Sequence, residues 1–410
     1  MTGRELLRNR GLLGVLVRDT VSLTGSQMTM LALPWFVLTT TGSATRMALV
    51  LAVESASMAA VGFLAGNVAT RLGPRRTMLV ADAARAPLVA TIPLLHAFDA
   101  LSFPLILLIA AAAAAFVTPS FAAKTSLLPE LVGEDERVLA EANALLQGAQ
   151  RITLFLGPAL AGVLIAAIGA ANVLILDAVS FVVAFALVAT LVPTVRGIEL
   201  DEESRGLGAG IRFLARDRLL RPWSVAVIIG DVAWVVLFAT MPVLVIARFG
   251  DDPALLGWVW GAWGLAAVAG NVIAFRAARG TSDRLLVSSL GEMAMIAPLW
   301  LLLVDLPAGG LVAIMALSGL ANGIVNPPIH TIFTLRIPRA LRAKAWSVVI
   351  ASTAVLGPLA LVAAGPVLDS SGFVPVVVAL VGVQSLAAIA FAVAGLRERA
   401  HVEEVQAVAA

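Results

Sequence analysis

Residues 101–117 read LSFPLILLIAAAAAAFV, and residues 173–192 read VLILDAVSFVVAFALVATLV. As a helix rising 1.5 Å per residue, the longer run extends about 30 Å, the thickness of a bilayer's hydrocarbon core. Barrel strands alternate over about ten residues, and these runs do not alternate. Only helices and closed barrels satisfy their backbone groups in lipid, so the runs predict membrane-spanning helices. The rest of the chain agrees. Of its 410 residues, 60% are hydrophobic and 13% charged, against about 25% charged in a soluble domain, and mean hydropathy is +0.98. A soluble globule could not cover that much apolar surface, and a disordered chain would be poor in it.

Apolar runs broken by Gly, Pro and charge give twelve spans: 12–38, 46–70, 77–98, 101–123, 144–168, 172–193, 222–247, 254–277, 285–304, 309–335, 343–367 and 373–396. The first is read as a retained helix, not a signal peptide, because Arg18-Asp19 interrupts it and no small-residue cleavage site follows. Connections are alternately short and basic. On the basic side lie 24 of the 28 Lys and Arg, counting the N-terminal segment through Arg18, Lys124 and six in residues 194–221. Arg46 and Arg248 fall on the other side, and Arg85 and Arg151 within spans. The positive-inside rule places both termini in the cytoplasm of a multi-pass cell-membrane protein.

The chain repeats itself. Ala-Gly-Asn-Val occurs at 65–68 and 269–272, Pro34 is echoed by Pro242, the pair Pro119/Pro129 by Pro328/Pro338, and Gly157-Pro158 by Gly357-Pro358. Offsets of 200–209 in one order predict two six-helix halves: residues 1–193, a cytoplasmic linker 194–221, residues 222–396, and a cytoplasmic tail 397–410.

Motifs add detail. The second connection reads Gly66-Asn-Val-Ala-Thr-Arg-Leu-Gly-Pro-Arg-Arg76. It resembles the loop signature Gly-x-x-x-Asp-Arg-x-Gly-Arg-Arg/Lys of the major facilitator superfamily, through Gly66, Arg71, Gly73, Arg75 and Arg76. Thr70 stands where an acid is usual and Pro74 where Arg is. Gly157-Pro158-Ala-Leu-Ala-Gly162 resembles the antiporter signature Gly-Pro-x-x-Gly-Gly, with Ala161 for one Gly. Pro119-Ser-Phe-Ala, Leu128-Pro-Glu-Leu-Val132, Leu176-Asp-Ala-Val-Ser-Phe181 and Gly210-Ile-Arg-Phe-Leu214 are similar to the drug/proton exporter branch holding macrolide-efflux and enterobactin-export proteins. The resemblance implies two pseudo-symmetric halves of six helices, an all-α membrane fold, with a substrate site near the midplane. Many such antiporters carry an Arg in the fourth span. Residues 101–123 hold no charge, which leaves Arg151 as the expected buried cation.

A charge at mid-helix costs about 2.5–3.5 kcal/mol on insertion scales, so such residues face a cavity or a partner. Asp19, Glu54, Asp231 and Glu292 are the candidates for carrying a coupling proton. Asp19, Ser22, Ser26 and Thr29 share one helical face by their 3-4-3 spacing, with Gln27 beside it. Gln147 and Arg151 in the fifth span, and Asn322 and Asn326 in the tenth, form similar stripes. Trp234, one turn from Asp231, could stack on a flat or cationic substrate. Asp82 and Arg85 are expected to pair with each other, and Asp177 to serve in packing. Trp258, Trp260 and Trp263 suggest an interfacial belt, and Gly62/Gly66, Gly257/Gly261 and Gly319/Gly323 suggest helix-packing faces.

No Cys and three scattered His argue against disulfides and metal sites. No basic block interleaved with aromatics suggests nucleic acid, and no Gly-x-x-x-x-Gly-Lys-Ser/Thr loop suggests ATP hydrolysis. The expected function is a non-enzymatic, cofactor-free secondary transporter, a monomer in lipid, that exports hydrophobic small molecules in exchange for protons. A siderophore, lipid or uptake transporter on the same fold remains open, as does a non-transporting receptor.

Overall fold

The computed structural model describes residues 9–133, 135–194, 208–277 and 283–409. These are helical throughout, with no strand among them. Fourteen α-helices follow in order: α1 Arg10–Thr41, α2 Ala44–Leu72, α3 Pro74–Ala97, α4 Phe103–Ala115, α5 Val117–Val132, α6 Glu136–Ile168, α7 Ala170–Leu191, α8 Gly208–Arg216, α9 Leu220–Phe249, α10 Pro253–Ala277, α11 Arg284–Ile296, α12 Ala308–Arg336, α13 Arg339–Ser371 and α14 Phe373–Ala409. Twelve spans are long and apolar enough to cross a membrane. Two of them are composite. The fourth is α4 plus α5, broken at Phe116, because Pro119 has no N–H for the carbonyl four residues back and its ring clashes there. The ninth is α11 continued by a 3₁₀ turn, Ala297–Leu303, with Pro298 near its start.

Several helices outrun the apolar runs that announced them. The fourth span continues to Val132 instead of ending at 123, the fifth begins at Glu136 instead of 144, and the twelfth runs on to Ala409. Hydrophobicity marks the lipid-facing length; caps mark the helix. Asp135 starts α6 by accepting the Arg137 and Val138 N–H groups, as an N-cap should. Cations counted with the connections therefore lie within helices, among them Arg18 in α1 and Lys124 in α5. Residues 195–207 of the expected linker lie outside the described residues, as do Arg4, Arg8 and Arg279; α8 lies in its second part.

The chain forms two compact units, Met1–Glu202 with Asp252–Gly257, and Glu203–Asp251 with Trp258–Ala410. Within the first, α1 packs on α6 and α7, and α3 on α5 and α7. Within the second, α9 packs on α13 and α14, and α11 on α12 and α14. The pattern is the same one repeated. The staples repeat too. Asn9 caps α1 and donates through Nδ2 to the Leu131 carbonyl (2.8 Å) at the end of α5. Its counterpart 208 residues on, Asp217, caps α9 and accepts from Arg336 (2.8 Å) at the end of α12. Arg75, starting α3, donates to the Ala189 carbonyl (2.7 Å) in α7; Asp283, capping α11, pairs with Arg399 in α14. Arg336 also binds Glu398 (2.5 Å). Burial pushes the Asp217 carboxyl up, but the Arg336 hydrogen bonds and the Leu220 and Leu219 N–H groups outweigh this and hold it below its ordinary value.

Small residues set the helix approaches. A Cβ on Gly25 would fall 2.3 Å from Asp177 Oδ1 and from Ser180 Oγ, so glycine there lets α7 seat against α1. In the second unit, a Cβ on Gly319 would meet the Trp263 carbonyl at 2.2 Å and one on Gly323 the Ala267 carbonyl at 2.0 Å, as expected of a close-packed helix face. The second unit's core centres on Trp223, fully buried and stacked on Phe391 (4.2 Å between centroids), its indole donating to the Phe391 carbonyl at 3.0 Å.

Candidate transport site

The first unit encloses a cavity of about 310 Å³, near the lower end of small-molecule pockets. The polar stripe of α1 faces it, with Ser22, Ser26, Gln27 and Thr29 in its wall. Across from them stand Glu54 and Met58 on α2, Arg85, Val89 and Ile92 on α3, and apolar residues of α4 and α5. Most of this wall is apolar, so the few charges in it carry the site's chemistry.

Those charges fall into two groups. At one end a closed network joins three of them, Arg18, Asp19 and Lys124, to Asp82, which does not line the cavity. Arg18 binds Asp82 in a bidentate pair through Nη2 (2.5 Å) and Nε (3.0 Å), and reaches Asp19 through Nη1 (3.0 Å) and Ser120 Oγ through Nη2 (2.9 Å). Lys124 closes it, Nζ lying 2.6 Å from Asp19 Oδ2. Arg18, Asp19 and Asp82 are 5%, 4% and 0% exposed. Two cations and two carboxylates cancel, which is what permits burial at all. Arg85 and Glu54 form the other group. Arg85 donates from Nη2 to Ser26 Oγ (3.2 Å) and lies over the Phe181 ring, 4.1 Å from its centroid. Among the described residues no carboxylate oxygen lies within 4.0 Å of it, and its buried Nε has no partner. Glu54 accepts no hydrogen bond among the described residues.

Several expectations change here. Asp82 pairs with Arg18, not with Arg85, because α1 packs against this part of α3's bundle and brings a guanidinium to it. Asp19 is enclosed by Arg18 and Lys124 rather than standing free. The fourth span does carry a cation: Lys124 lies one residue past the boundary that its apolar run suggested. Arg151 is exposed, as is Gln147, because α6 meets α1 through its glycine face instead; a Cβ on Gly157 would lie 2.4 Å from Gln27 Cβ. Pro158 and Gly162 are buried on the same helix. Asp177 is fully buried and accepts from Thr29 Oγ1 (2.6 Å) and Ser180 Oγ (3.1 Å), the packing role expected of it.

In the loop signature, Gly73 has φ 78°, a conformation that favours glycine, and Pro74 starts α3 at its first position, where proline is at home. Arg75 staples α3 to α7, Arg71 and Arg76 are exposed, and Gly66 falls outside the residues whose surroundings are described.

In the second unit, Asp231 accepts from Thr353 Oγ1 at 3.3 Å, and its charge acts on Glu292. No cation pairs with either acid among the described residues. Asn322 donates to Met295 Sδ (3.3 Å), and Asn326 is half-buried. The tryptophan belt is corrected. Trp258 is exposed, but Trp260 is 5% exposed and meets Trp234 (5.3 Å) and Phe238 (4.9 Å), while Trp263 packs on Trp234 at 4.6 Å. Successive helical residues turn 100°, so three Trp at 258, 260 and 263 could not share one face.

The sequence and the fold match known transporters. Residues 20–361 match the sequence profile of the Major Facilitator Superfamily. The chain belongs to the major facilitator superfamily. It is 27% identical over 379 residues to the multidrug efflux pump Tap of Mycobacterium tuberculosis, covering 87% of each chain, and 26% identical over 369 residues to that of Mycolicibacterium fortuitum. Among solved structures, the nucleoside transporter NupG superposes with a TM-score of 0.74 at 14% identity, covering 93% of this chain and 99% of that one. A bacterial homologue of the human lysosomal transporter Spinster gives 0.73 at 14% identity, covering 94% and 96%. This superfamily member is thus a multi-pass membrane transporter of small molecules and not an enzyme.

Proposed function

We propose that the transporter exports hydrophobic small molecules, drugs or natural products, across the cell membrane in exchange for protons, by alternating access. The observation that carries this reading is the wall of the first unit's cavity: mostly apolar, with a carboxylate, Glu54, that has no hydrogen bond or ion pair among the described residues. An apolar wall suits a lipophilic cargo, and an unengaged acid in such surroundings can hold a proton in one state and release it in another. The multidrug efflux relatives support export rather than uptake. Glu54 leads as the proton carrier. Asp231 and Glu292 follow, being acids without a paired cation among the described residues, and Asp19 comes last because Arg18 and Lys124 already neutralise it. In this proposal the protein acts as a monomer, and its Lys and Arg distribution supports both termini in the cytoplasm.

Proteoliposomes with an imposed pH gradient test this directly. Lipophilic dyes and antibiotics should move against their own gradient while the proton gradient stands. Flux that is unchanged when the gradient is collapsed overturns proton exchange. Glu54→Gln, Asp231→Asn and Glu292→Gln then rank the acids, and wild-type rates in all three would remove them from the mechanism.

A further inference from the structure

We infer that Arg85 is a positioning residue that switches between Glu54 and Asp177, and so passes the charge state of the cavity wall to the α1–α7 contact. The inference rests on the reading of Glu54 as proton carrier. Its ground is a mismatch of partners. Arg18 and Lys124 are used up by Asp82 and Asp19. Among the described residues of the cavity wall that leaves one cation, Arg85, for two buried acids, Glu54 on α2 and Asp177 on α7, both of which act on it electrostatically. It is bonded to neither. A serine hydroxyl and an aromatic face hold it instead, and both are partners that a guanidinium leaves at small cost.

The two acids differ in what they touch. Glu54 stands in the cavity wall, open to a proton or to a cationic cargo. Asp177 is walled off and bonded across to α1 through Thr29, opposite Gly25, where there is no room for one extra carbon. An ionised Glu54 draws Arg85 toward α2. A neutralised Glu54 returns it to Asp177, where a guanidinium competes with the Thr29 hydroxyl for carboxylate oxygens. Loading of the cavity thereby alters how α1 seats on α7. The other charged groups facing Arg85 are Asp82 on its own helix and Arg18, Asp19 and Lys124 from α1 and α5. They form the neutral network and do not change sign together with Glu54.

The test is the pH profile of dye efflux in proteoliposomes for Asp177→Asn, Arg85→Gln and Arg85→Lys, with Glu54→Gln as reference and monodispersity by size exclusion as the folding check. Asp177→Asn removes the competitor, so Arg85 favours the Glu54 carboxylate and the midpoint moves to acid by about one unit, the low end for a nearby opposite charge. Arg85→Gln moves it to alkaline by at least as much. Arg85→Lys stays within half a unit of wild type. A purely structural role for Asp177 would lower the rate at every pH and leave the midpoint in place, and that result overturns the switch while Glu54 remains the proton carrier. A profile that persists in Glu54→Gln overturns both.

Discussion

Removal of the Asp82 carboxylate tests the buried network at its strongest bond. Asp82 is fully buried and holds Arg18 in a bidentate grip of 2.5 and 3.0 Å. Breaking one side of a buried pair costs about 3–5 kcal/mol, because the other charge is left uncompensated. Arg18 keeps Asp19 and Ser120, which puts Asp82→Ala at the lower end, about 3 kcal/mol. Asp82→Asn keeps an acceptor and costs about 1.5–3 kcal/mol, the worth of a charge-assisted bond. Arg18→Met with Asp82→Leu removes both charges at once and should cost clearly less than the two single changes added. The coupling energy between Arg18 and Asp82 is therefore about 2 kcal/mol. Ordinary side-chain hydrogen bonds between membrane helices average about 0.6 kcal/mol in such cycles, so the two cases are well separated. Equilibrium unfolding in mixed micelles with increasing SDS, followed by tryptophan fluorescence, measures the cycle. A coupling at or below the ordinary value would show that the pair is incidental and that the network does not hold α1 to α3.

Three further outcomes follow from the packing and the caps. Gly323→Ala sets a Cβ 2.0 Å from the Ala267 carbonyl and 2.8 Å from the Asn271 N–H; backbone must yield, and the same micelle titration should show a loss of about 1–3 kcal/mol. Trp223→Ala should cost about 3–5 kcal/mol, whereas Trp223→Phe keeps the stack on Phe391 and loses mainly the indole hydrogen bond, about 1 kcal/mol. The folded Asp217 carboxyl lies below its ordinary value, so it stabilises the fold above about pH 4, and this contribution disappears as pH falls through the lowered folded value. Thermal unfolding of Asp217→Asn should therefore fall below wild type at pH 7, and the gap should narrow as pH falls through the lowered folded value; a gap that stays equal at every pH would contradict the charge-based account of that cap.

Span number, the twofold repeat and the α1 polar stripe were legible in the sequence because each depends on periodicity along the chain. Membrane residence forces apolar length, and a repeated fold leaves repeated turns. Partners were not legible. Arg18 and Asp82 are 64 residues apart, and Lys124 and Asp19 are 105 apart; nothing local distinguishes a paired buried charge from a free one. Arg18 looked like a loop cation because charge is read as the end of a span. Its salt bridge is what allows the helix to continue through it. The tryptophans were a different failure. Their spacing of two and three residues already puts Trp260 on the side of α10 opposite Trp258, and helical angle alone should have separated the belt from the cluster around Trp234.

The repeat also says where charge can change. On the paired helices α3 and α11 the buried charge differs in sign, Arg85 on the first and Glu292 on the second, and α9 adds Asp231. The scaffold is copied and the sign is inverted. In the first unit the surplus over the neutral network is one guanidinium with two acids; in the second it is two acids with a threonine hydroxyl and, among the described residues, no paired cation. A group that is fully paired cannot titrate without breaking its pair, which for Arg18, Asp19, Asp82 and Lys124 means several kcal/mol. Under the proposed proton exchange, charge changes fall on Glu54, Asp177, Asp231 and Glu292, the four acids that the network leaves over. Neutralising any of these should alter how flux depends on pH with the fold intact, whereas neutralising Asp82 should lower stability first and leave the pH dependence of the surviving protein unchanged.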